Sequence, residues 1–254
     1  MGYSQGAEKF YDLFGEKKDV NFYVELAHLH GDRALELGVG TARLAIQLAR
    51  AGIETWGIDN SKNMLRAAET NLSKEPPEVR SRVRLEKADV KNFDLGQTFG
   101  LVYFPSTSFD HILGRKEQIG ALRSIRKHVS SEGVYVFEIF NVQEFEEDSG
   151  WFVQRKILDE ERIVVRLGHH RTNPVNRLMT VNLWYEVYKE GRMTERYFEA
   201  GEIYIHTPEG IRRLLDEAGY KIEAVYGDHE KREFTVESKL MVLVTKPRTL
   251  GTPS

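Results

Sequence analysis

Two glycines and one acidic residue, set at a fixed spacing, are the residues of this chain best suited to chemistry. Gly38 and Gly40 follow a short apolar strand predicted over 34–37, and an amphipathic helix is predicted directly after them. Glycine permits a tight turn and leaves no Cβ to keep a ligand away from the backbone. A helix N-terminus beside such a turn presents free N–H groups and the positive end of the helix dipole. The segment therefore predicts a nucleotide-binding turn.

The acidic residue is Asp59, which ends the second predicted strand. A carboxylate at this place can accept hydrogen bonds from both hydroxyls of a ribose, as in dinucleotide-binding folds. Asp59 or Asn60 could instead cap the helix that follows, and Ser61 could take the cap role and leave Asp59 free. Together with the glycine turn, the spacing predicts a cofactor that contains adenosine.

The residues around the turn argue against a dinucleotide. The dinucleotide fingerprint has a third glycine, three positions after the second, for close helix–strand packing. This chain has Arg43 at that position. Glu36, two residues before the first glycine, suits a cation better than a pyrophosphate. Its carboxylate could contact the ligand or cap backbone donors in the turn.

With these motifs the sequence resembles the class I S-adenosylmethionine-dependent methyltransferases, in register over roughly residues 31–140. The matching motifs are, in chain order, Glu36-Leu37-Gly38-Val39-Gly40-Thr41, Asp59 with Asn60-Ser61-Lys62-Asn63-Met64-Leu65, Ala88-Asp89-Val90, and Gly100-Leu101-Val102-Tyr103-Phe104. The resemblance implies S-adenosyl-L-methionine as the cofactor. It also implies a set of cofactor-binding residues: Tyr11, Glu36, Gly38, Gly40, Thr41, Asp59, Asn60, Met64, Asp89, Val90, Phe104 and Ser106.

Two members of that set have specific implied roles. The resemblance implies that Asp89 accepts the exocyclic amino group of adenine, although an aspartate here could simply stabilise a turn. It also implies that Tyr11 closes over the methionine end of the cofactor, whereas helical spacing alone indicates packing. Two other functions stay open: a nicotinamide-dependent oxidoreductase, which Arg43 and Glu36 disfavour, and a non-catalytic cofactor-binding module.

The pattern of predicted elements indicates an α/β fold, a doubly wound, mostly parallel seven-stranded sheet of the Rossmann-like methyltransferase type. Strands and helices alternate over 31–144 and resume over 207–246, and these segments form the predicted cofactor-binding core. Residues 1–30 are predicted to be an N-terminal helical cap, and 247–254 a flexible tail. Thr207 and Pro208 predict the start of a helix, since one is a cap residue and the other favours the first helical position.

Residues 145–206 break the alternation and predict an inserted antiparallel β lid. Strands are predicted over 162–167, 179–188 and 195–206, with no helix between them. An insertion after the fifth strand would lie at the acceptor side of the cleft in this family. Arg171 or Arg196 could hold a carboxylate of the substrate through a bidentate pair.

No compact catalytic signature appears in the sequence, and methyl transfer requires mainly alignment of donor and acceptor. The segment after the fourth strand is Phe104-Pro105-Ser106-Thr107, without the Asn/Asp-Pro-Pro-aromatic motif of enzymes that methylate nucleobases or glutamine amides. We therefore expect a small-molecule acceptor. The catalytic residue is unknown. His111 is a weak candidate beside Asp110, both at an expected solvated helix start, and Arg171, Arg196 and His206 are the other weak candidates.

Composition narrows the class of protein. The chain has 254 residues, a net charge of −3 and no cysteine. Mixed charges give no field that would recruit nucleic acid, and no apolar run approaches the length of a membrane span. The absence of cysteine excludes disulfides and thiolate metal sites and fits a reducing cytoplasm. We expect no metal and a cytoplasmic enzyme, and the sequence gives no oligomeric state.

Overall fold

The computed structural model describes residues 6, 8–14, 18–142 and 148–248. The chain divides into two compact units. One comprises Met1–Glu16 and Glu144–Ile205, and the other Lys17–Gln143 and His206–Ser254. We name them the small unit and the large unit. No helix within the described ranges is long and apolar enough to cross a membrane.

The large unit is built on a seven-stranded sheet. Its strands are β1 (Arg33–Leu37), β2 (Glu54–Asp59), β3 (Val83–Lys87), β4 (Phe99–Phe104), β5 (Val129–Phe140), β10 (Tyr220–Tyr226) and β11 (Leu240–Pro247). The strand order is β10-β11-β5-β4-β1-β2-β3. β11 pairs antiparallel with both of its neighbours, and β1 to β5 pair in parallel. The predicted mostly parallel, doubly wound fold is thus confirmed.

Helices cover both faces of this sheet. They are α2 (Val20–Leu29), α3 (Arg43–Arg50), α4 (Lys62–Leu72), α5 (Pro77–Arg80), α6 (Arg115–Arg126) and α7 (Pro208–Glu217), with a short 3-10 helix over Ser108–His111. α6 and α7 bury their apolar side chains against one face, and α2 and α3 pack on the opposite one. β4 is buried along its whole length, as expected for a central strand covered on both sides.

The caps and turns of the large unit mostly follow the sequence signals. Thr207 caps α7 by accepting from the Gly210 N–H at 2.9 Å, and Pro208 opens the helix, as predicted. The start of β5 was not predicted: α6 ends at Arg126, and β5 already begins at Val129. The polar residues at the start of β5 do not alternate with apolar ones, and they concealed the start of that strand.

The C-terminal strand runs past the predicted end of the core at residue 246. Pro247 is still part of β11, and the Arg248 N–H donates to the Gly219 carbonyl at 2.8 Å. Pairing within the sheet holds Pro247, and the bond to the loop after α7 holds Arg248, so the first two residues of the predicted tail are fixed in place. The rest of that tail, 249–254, lies outside the described residues.

The small unit contains a four-stranded antiparallel sheet, ordered β6-β7-β8-β9. Its strands are β6 (Asp148–Ile157), β7 (Arg162–Asn173), β8 (Leu178–Lys189) and β9 (Arg192–Tyr204). Three strands were predicted, and β6 was missed because its apolar residues are consecutive rather than alternating. β7 is also longer than predicted. The sheet is antiparallel as expected, with one more strand and a longer β7 than predicted.

The two faces of the four-stranded sheet differ. Helix α1 (Glu8–Phe14) places Phe10 against Tyr185, with ring centroids 5.8 Å apart, on one face. The other face carries an aromatic row of Trp151, Trp184 and Phe198, whose neighbouring ring centroids lie 5.1 and 4.8 Å apart. Trp151 is 62% exposed and Phe198 46% exposed. One face of this sheet is therefore packed, and the other is open.

The two N-terminal helices, which the sequence grouped in one cap, fall in different units. Phe10 and Phe14 of α1 pack with Tyr185 in the small unit. Phe22 and Tyr23 of α2 belong to the core of the large unit. The aromatic residues of the two helices were alike in sequence, so their separate packing partners could not be distinguished there.

Candidate active site

The candidate site lies at the carboxyl ends of β1, β2 and β4. β1 pairs with β2 on one side and with β4 on the other, so the winding of the chain reverses between β1 and β4. In open α/β sheets, ligands bind in the crevice that forms at such a reversal point. The glycine turn after β1 and the segment after β4 therefore border the place where a ligand is expected.

The two glycines of the turn are used differently. Both have positive φ, +65° at Gly38 and +55° at Gly40, which favours glycine at each. A Cβ on Gly38 would lie 3.1 Å from a ring carbon of Phe104, whereas on Gly40 it would meet nothing nearer than a carbonyl at 3.9 Å. Gly38 lets the turn lie against Phe104, and Gly40 leaves open space on the turn's surface.

Asp59 joins the turn to β2. Its Oδ2 accepts from the Gly40 N–H at 2.9 Å and its Oδ1 from the Ser61 N–H at 2.8 Å. Ser61 is the residue that caps α4, by accepting from the Met64 N–H at 3.3 Å. Burial raises the pKa of the Asp59 carboxyl, although these backbone hydrogen bonds oppose the rise. Each oxygen retains a lone pair, so the carboxylate can still accept from a diol.

Glu36 is buried at the end of β1, with 3% of its surface exposed. It accepts a hydrogen bond from the Tyr103 hydroxyl at 3.0 Å. Burial raises the pKa of Glu36 to about 8, and the bond from Tyr103 lowers it in part. Within the described residues Glu36 is thus bonded across the sheet to β4.

Arg43, the residue in the third-glycine position, forms a bidentate ion pair. Its two terminal nitrogens lie 2.9 and 2.5 Å from the carboxylate oxygens of Asp19. Asp19 is 6% exposed, so the pair is largely desolvated. A dinucleotide site has glycine at this position, beside the pyrophosphate. Here the position is filled by the Arg43 side chain, which is paired with Asp19.

The remaining predicted cofactor residues divide by exposure. Asp89 follows β3, accepts from the Lys91 N–H at 2.9 Å, and has a 45% exposed side chain. Its turn-stabilising role is therefore present, and its free surface leaves room for a second partner. Asn60 and Ser106 are exposed, Val90 is half-buried, and Thr41, Met64 and Phe104 are buried. Tyr11 lies in α1, and its side chain is outside the described part of the chain.

The sequence predicted that Asp110 lies at a solvated helix start, and this prediction is wrong. It is 1% exposed, and its Oδ2 accepts from the Phe140 N–H at 3.0 Å. The 3-10 helix turns the residue inward, under the end of β5, and burial raises its pKa well above the ordinary range. The Nε2 of His206 lies 3.9 Å from its Oδ1. His111 ends the 3-10 helix and is half-buried.

Arg171 and Arg196 lie in the small unit, on β7 and β9. Both are exposed, and the Nε of Arg196 lies 3.3 Å from Glu186 Oε1. His206, grouped with them in the sequence, follows β9 and belongs to the large unit. Among the described residues, no cluster of three or more His, Asp or Glu side chains could hold a metal ion.

Two site residues were missed from the sequence, Glu138 on β5 and His229 after β10. The Ser106 N–H donates to Glu138 Oε1, and Glu138 Oε2 lies 2.6 Å from His229 Nε2. Glu138 interrupts the apolar run of β5 as Glu36 does that of β1. A single charged residue inside an apolar strand could have identified Glu138 in the sequence. The sequence around His229 has no comparable feature.

Comparisons with known proteins agree with this geometry. Residues 34–133 match a family model for a methyltransferase domain. A dTDP-3-amino-3,6-dideoxy-alpha-D-glucopyranose N,N-dimethyltransferase from Streptomyces fradiae is 25% identical over 234 residues, which cover 89% of this chain and 88% of the relative.

Two solved structures share the fold. The CcbJ methyltransferase from Streptomyces caelestis aligns with a TM-score of 0.80 at 22% identity, over 98% of this chain and 99% of its own. CalS10 from Micromonospora echinaspora, an amino pentose methyltransferase solved with S-adenosylmethionine bound, aligns with a TM-score of 0.71 at 22% identity, over 95% and 97%. The domain match over 34–133, the ordered motifs and the strand order all agree, and in these features the chain is similar to the class I S-adenosylmethionine-dependent methyltransferases.

Proposed function

We propose that this chain transfers a methyl group from S-adenosylmethionine to an amine of a small molecule. The single observation that carries the proposal is the glycine turn held by Asp59 through the Gly40 N–H, at the point where the sheet reverses its winding. The curated relative from Streptomyces fradiae and CalS10, which are named for amino-sugar methylation, support an amine on a small molecule as the acceptor.

The residues of the large unit fit such a cofactor. Gly40 leaves open space on the turn. Asp59 has lone pairs for the ribose hydroxyls, and Asp89 has exposed surface on the β3 side for adenine. A cofactor laid along the carboxyl ends of β3, β2 and β1 would present its methionine end toward β4. The roles of Thr41, Asn60, Met64, Val90, Phe104 and Ser106 are proposed on the same alignment with the family.

When bound, S-adenosylmethionine would supply a methyl group on a sulfonium, and in-line attack of a neutral amine on that carbon would break the carbon–sulfur bond and release S-adenosylhomocysteine. The chain's own task is to hold donor and acceptor in line and to exclude water. An amine that arrives protonated must lose a proton before it attacks. His111 and His206 remain the candidates to accept it, and Arg171 and Arg196 remain the candidates to contact an acidic group of the acceptor.

Selection of the acceptor is proposed to lie with the small unit. Apart from Tyr11, whose helix α1 belongs to the small unit, the cofactor candidates all lie between Lys17 and Gln143, in the large unit. The small unit can therefore vary without altering them. The lid role predicted for 145–206 and the cytoplasmic location stay predictions.

Calorimetry with S-adenosylmethionine, S-adenosylhomocysteine and NAD tests the cofactor. We expect both sulfur compounds to bind and NAD to give no heat of binding. Release of S-adenosylhomocysteine is then measured against a panel of amino sugars, nucleotide-linked amino sugars and peptides with a free N-terminus. Binding of NAD alone would favour the oxidoreductase alternative. Cofactor binding without turnover of any panel member would favour the non-catalytic module.

A further inference from the structure

The turn after β4 is held in a backbone conformation that its residues do not favour. Ser106 and Thr107 have φ of +59° and +53°, in the left-handed region, and neither is glycine. Such residues persist only where the surrounding structure holds them, and they concentrate at functional sites. Phe104, two residues before Ser106, lies against Gly38 of the cofactor turn. The strained turn is therefore next to the site.

A buried ion pair holds this turn. Glu138 Oε1 accepts from the Ser106 N–H, and Oε2 lies 2.6 Å from His229 Nε2. The side chain of Glu138 is 4% exposed and that of His229 is 13% exposed. The Ser106 N–H thus bonds one oxygen of the carboxylate, and the imidazole lies beside the other.

The surroundings of His229 favour its cationic form. His229 packs against the rings of Phe22 and Tyr23, with centroids at 5.5 and 5.8 Å. Burial lowers the pKa of His229, but the hydrogen bond and charge of Glu138, with smaller effects of Asp19 and Asp228, raise it above the ordinary value overall. The imidazole is thus held toward its cationic form, which is the better donor to a carboxylate.

We infer that Glu138 and His229 are positioning residues for methyl transfer, which fix the Ser106–Thr107 turn at the methyl-bearing end of the cofactor site. The inference rests on the proposed function. Asp59 and Asp89 follow β2 and β3, on one side of β1, while Glu138 is on β5, on the other side. Loss of the pair should therefore disturb the alignment of donor and acceptor while leaving the contacts to adenosine in place.

The test compares four variants of the full chain. Glu138→Leu removes the acceptor of the Ser106 N–H, whereas Glu138→Gln keeps an amide oxygen for it. His229→Phe keeps the ring contacts and removes the cation. Glu132→Leu is the matched control, an exposed glutamate on the same strand.

We expect Glu138→Leu to lower kcat by about 100-fold, because a mutation that shifts the reacting groups by about 1 Å can have an effect of this size. The Kd of S-adenosylmethionine should stay within about threefold. Glu138→Gln should recover most of kcat, His229→Phe should fall between the two, and Glu132→Leu should match the unaltered chain. Equal losses of kcat and cofactor affinity in Glu138→Leu, or no recovery in Glu138→Gln, would overturn the inference.

Exchange of the Ser106 backbone amide, followed by NMR, decides the inference without an acceptor. Its hydrogen should exchange slowly in the unaltered chain and in Glu138→Gln. It should exchange fast in Glu138→Leu, and in His229→Phe faster than in the unaltered chain, because the carboxylate keeps its bond to Ser106 but loses the imidazole beside it. If Glu138→Leu does not fold, His229→Phe carries the test, and slow exchange there would overturn the positioning role. If the chain methylates no amine of the panel but shows this exchange pattern, the proposed function is wrong, while the role of Glu138 and His229 in holding the turn stands.

Discussion

The large and the small unit use their sheets in opposite ways. In the large unit β4 is buried throughout, and the proposed ligand contacts come from turns at strand ends, where backbone N–H groups and single carboxylates act. In the small unit the strands β6 to β9 are long, and the face opposite α1 exposes the aromatic row. Chemistry that depends on backbone shape requires particular residues at particular spacings. Chemistry that depends on exposed side chains of an antiparallel sheet has no fixed spacing.

The largest expected effect is on the cofactor turn. Gly40→Val should abolish binding of S-adenosylmethionine, because a branched side chain would occupy the open space above the turn. Titration calorimetry measures the binding, and thermal unfolding measures the fold. Gly52→Val is the matched control, since Gly52 also has a positive φ, +94°, with nothing within 4 Å of an added Cβ. If Gly40→Val binds normally while losing as much stability as the control, the turn is structural only.

Asp59→Ala should have the next largest effect on the large unit. We expect a loss of roughly 2–3 kcal/mol in cofactor affinity, because charge-assisted hydrogen bonds to the ribose hydroxyls and to the Gly40 N–H disappear together. The measurement is calorimetry with S-adenosylhomocysteine. Asp94→Ala is the control, since Asp94 accepts from the Gly96 N–H at 2.9 Å in an exposed turn of the same kind. Unchanged affinity in a folded Asp59→Ala protein would remove the ribose assignment.

Glu36 makes the stability of the large unit depend on pH. Burial raises its pKa from 4.5 to about 8 in the folded chain, so between these values the folded state binds more protons than the unfolded state. Its contribution is complete below about pH 4.5 and is lost as the pH rises toward 8. The free energy of unfolding should fall by up to about 1.4 kcal/mol per pH unit in this window.

Urea unfolding of the cofactor-free protein at pH 5, 6, 7 and 8 measures this dependence. In Glu36→Gln the slope from this residue should vanish, because the amide does not titrate. Glu54→Gln serves as the control, as Glu54 is an exposed glutamate at the start of β2. A Glu36→Gln protein with the same slope as the unaltered chain would show that Glu36 is ionised in the folded state.

The smallest effect is expected in the small unit. Arg196→Ala should leave the affinity for S-adenosylmethionine unchanged and alter the free energy of unfolding by less than about 1 kcal/mol, since its pair with Glu186 is half-exposed. If the arginine contacts an acidic acceptor, KM should rise for amines that carry a carboxylate or phosphate and not for neutral ones. Release of S-adenosylhomocysteine with both groups of amines measures the difference. A weaker affinity for S-adenosylmethionine in Arg196→Ala would contradict the proposal that the small unit selects the acceptor without affecting cofactor binding.

What could be predicted from the sequence follows the same division. Gly38, Gly40 and Asp59 lie in a local turn and at a strand end, so their spacing predicted a cofactor that contains adenosine, and the resemblance to a family then implied S-adenosylmethionine. Glu138 and His229 meet only because β5 and the segment after β10 are brought together by the sheet order, which no local pattern records. Asp110 looked solvated because the inward turn of a 3-10 helix is not visible in residue types. β6 was missed because consecutive apolar residues do not show a two-residue period.

The aromatic row gives the small unit an optical signature of its own. Of the three tryptophans in the chain, Trp151 and Trp184 lie in the row with ring centroids 5.1 Å apart, while Trp56 is buried in the large unit beneath the guanidinium of Arg84. Two indoles this close couple their electronic transitions, and the exposure of Trp151 shifts its fluorescence toward longer wavelengths than that of Trp56. Unfolding of each unit can therefore be followed separately in one unlabelled protein, by selecting the emission wavelength.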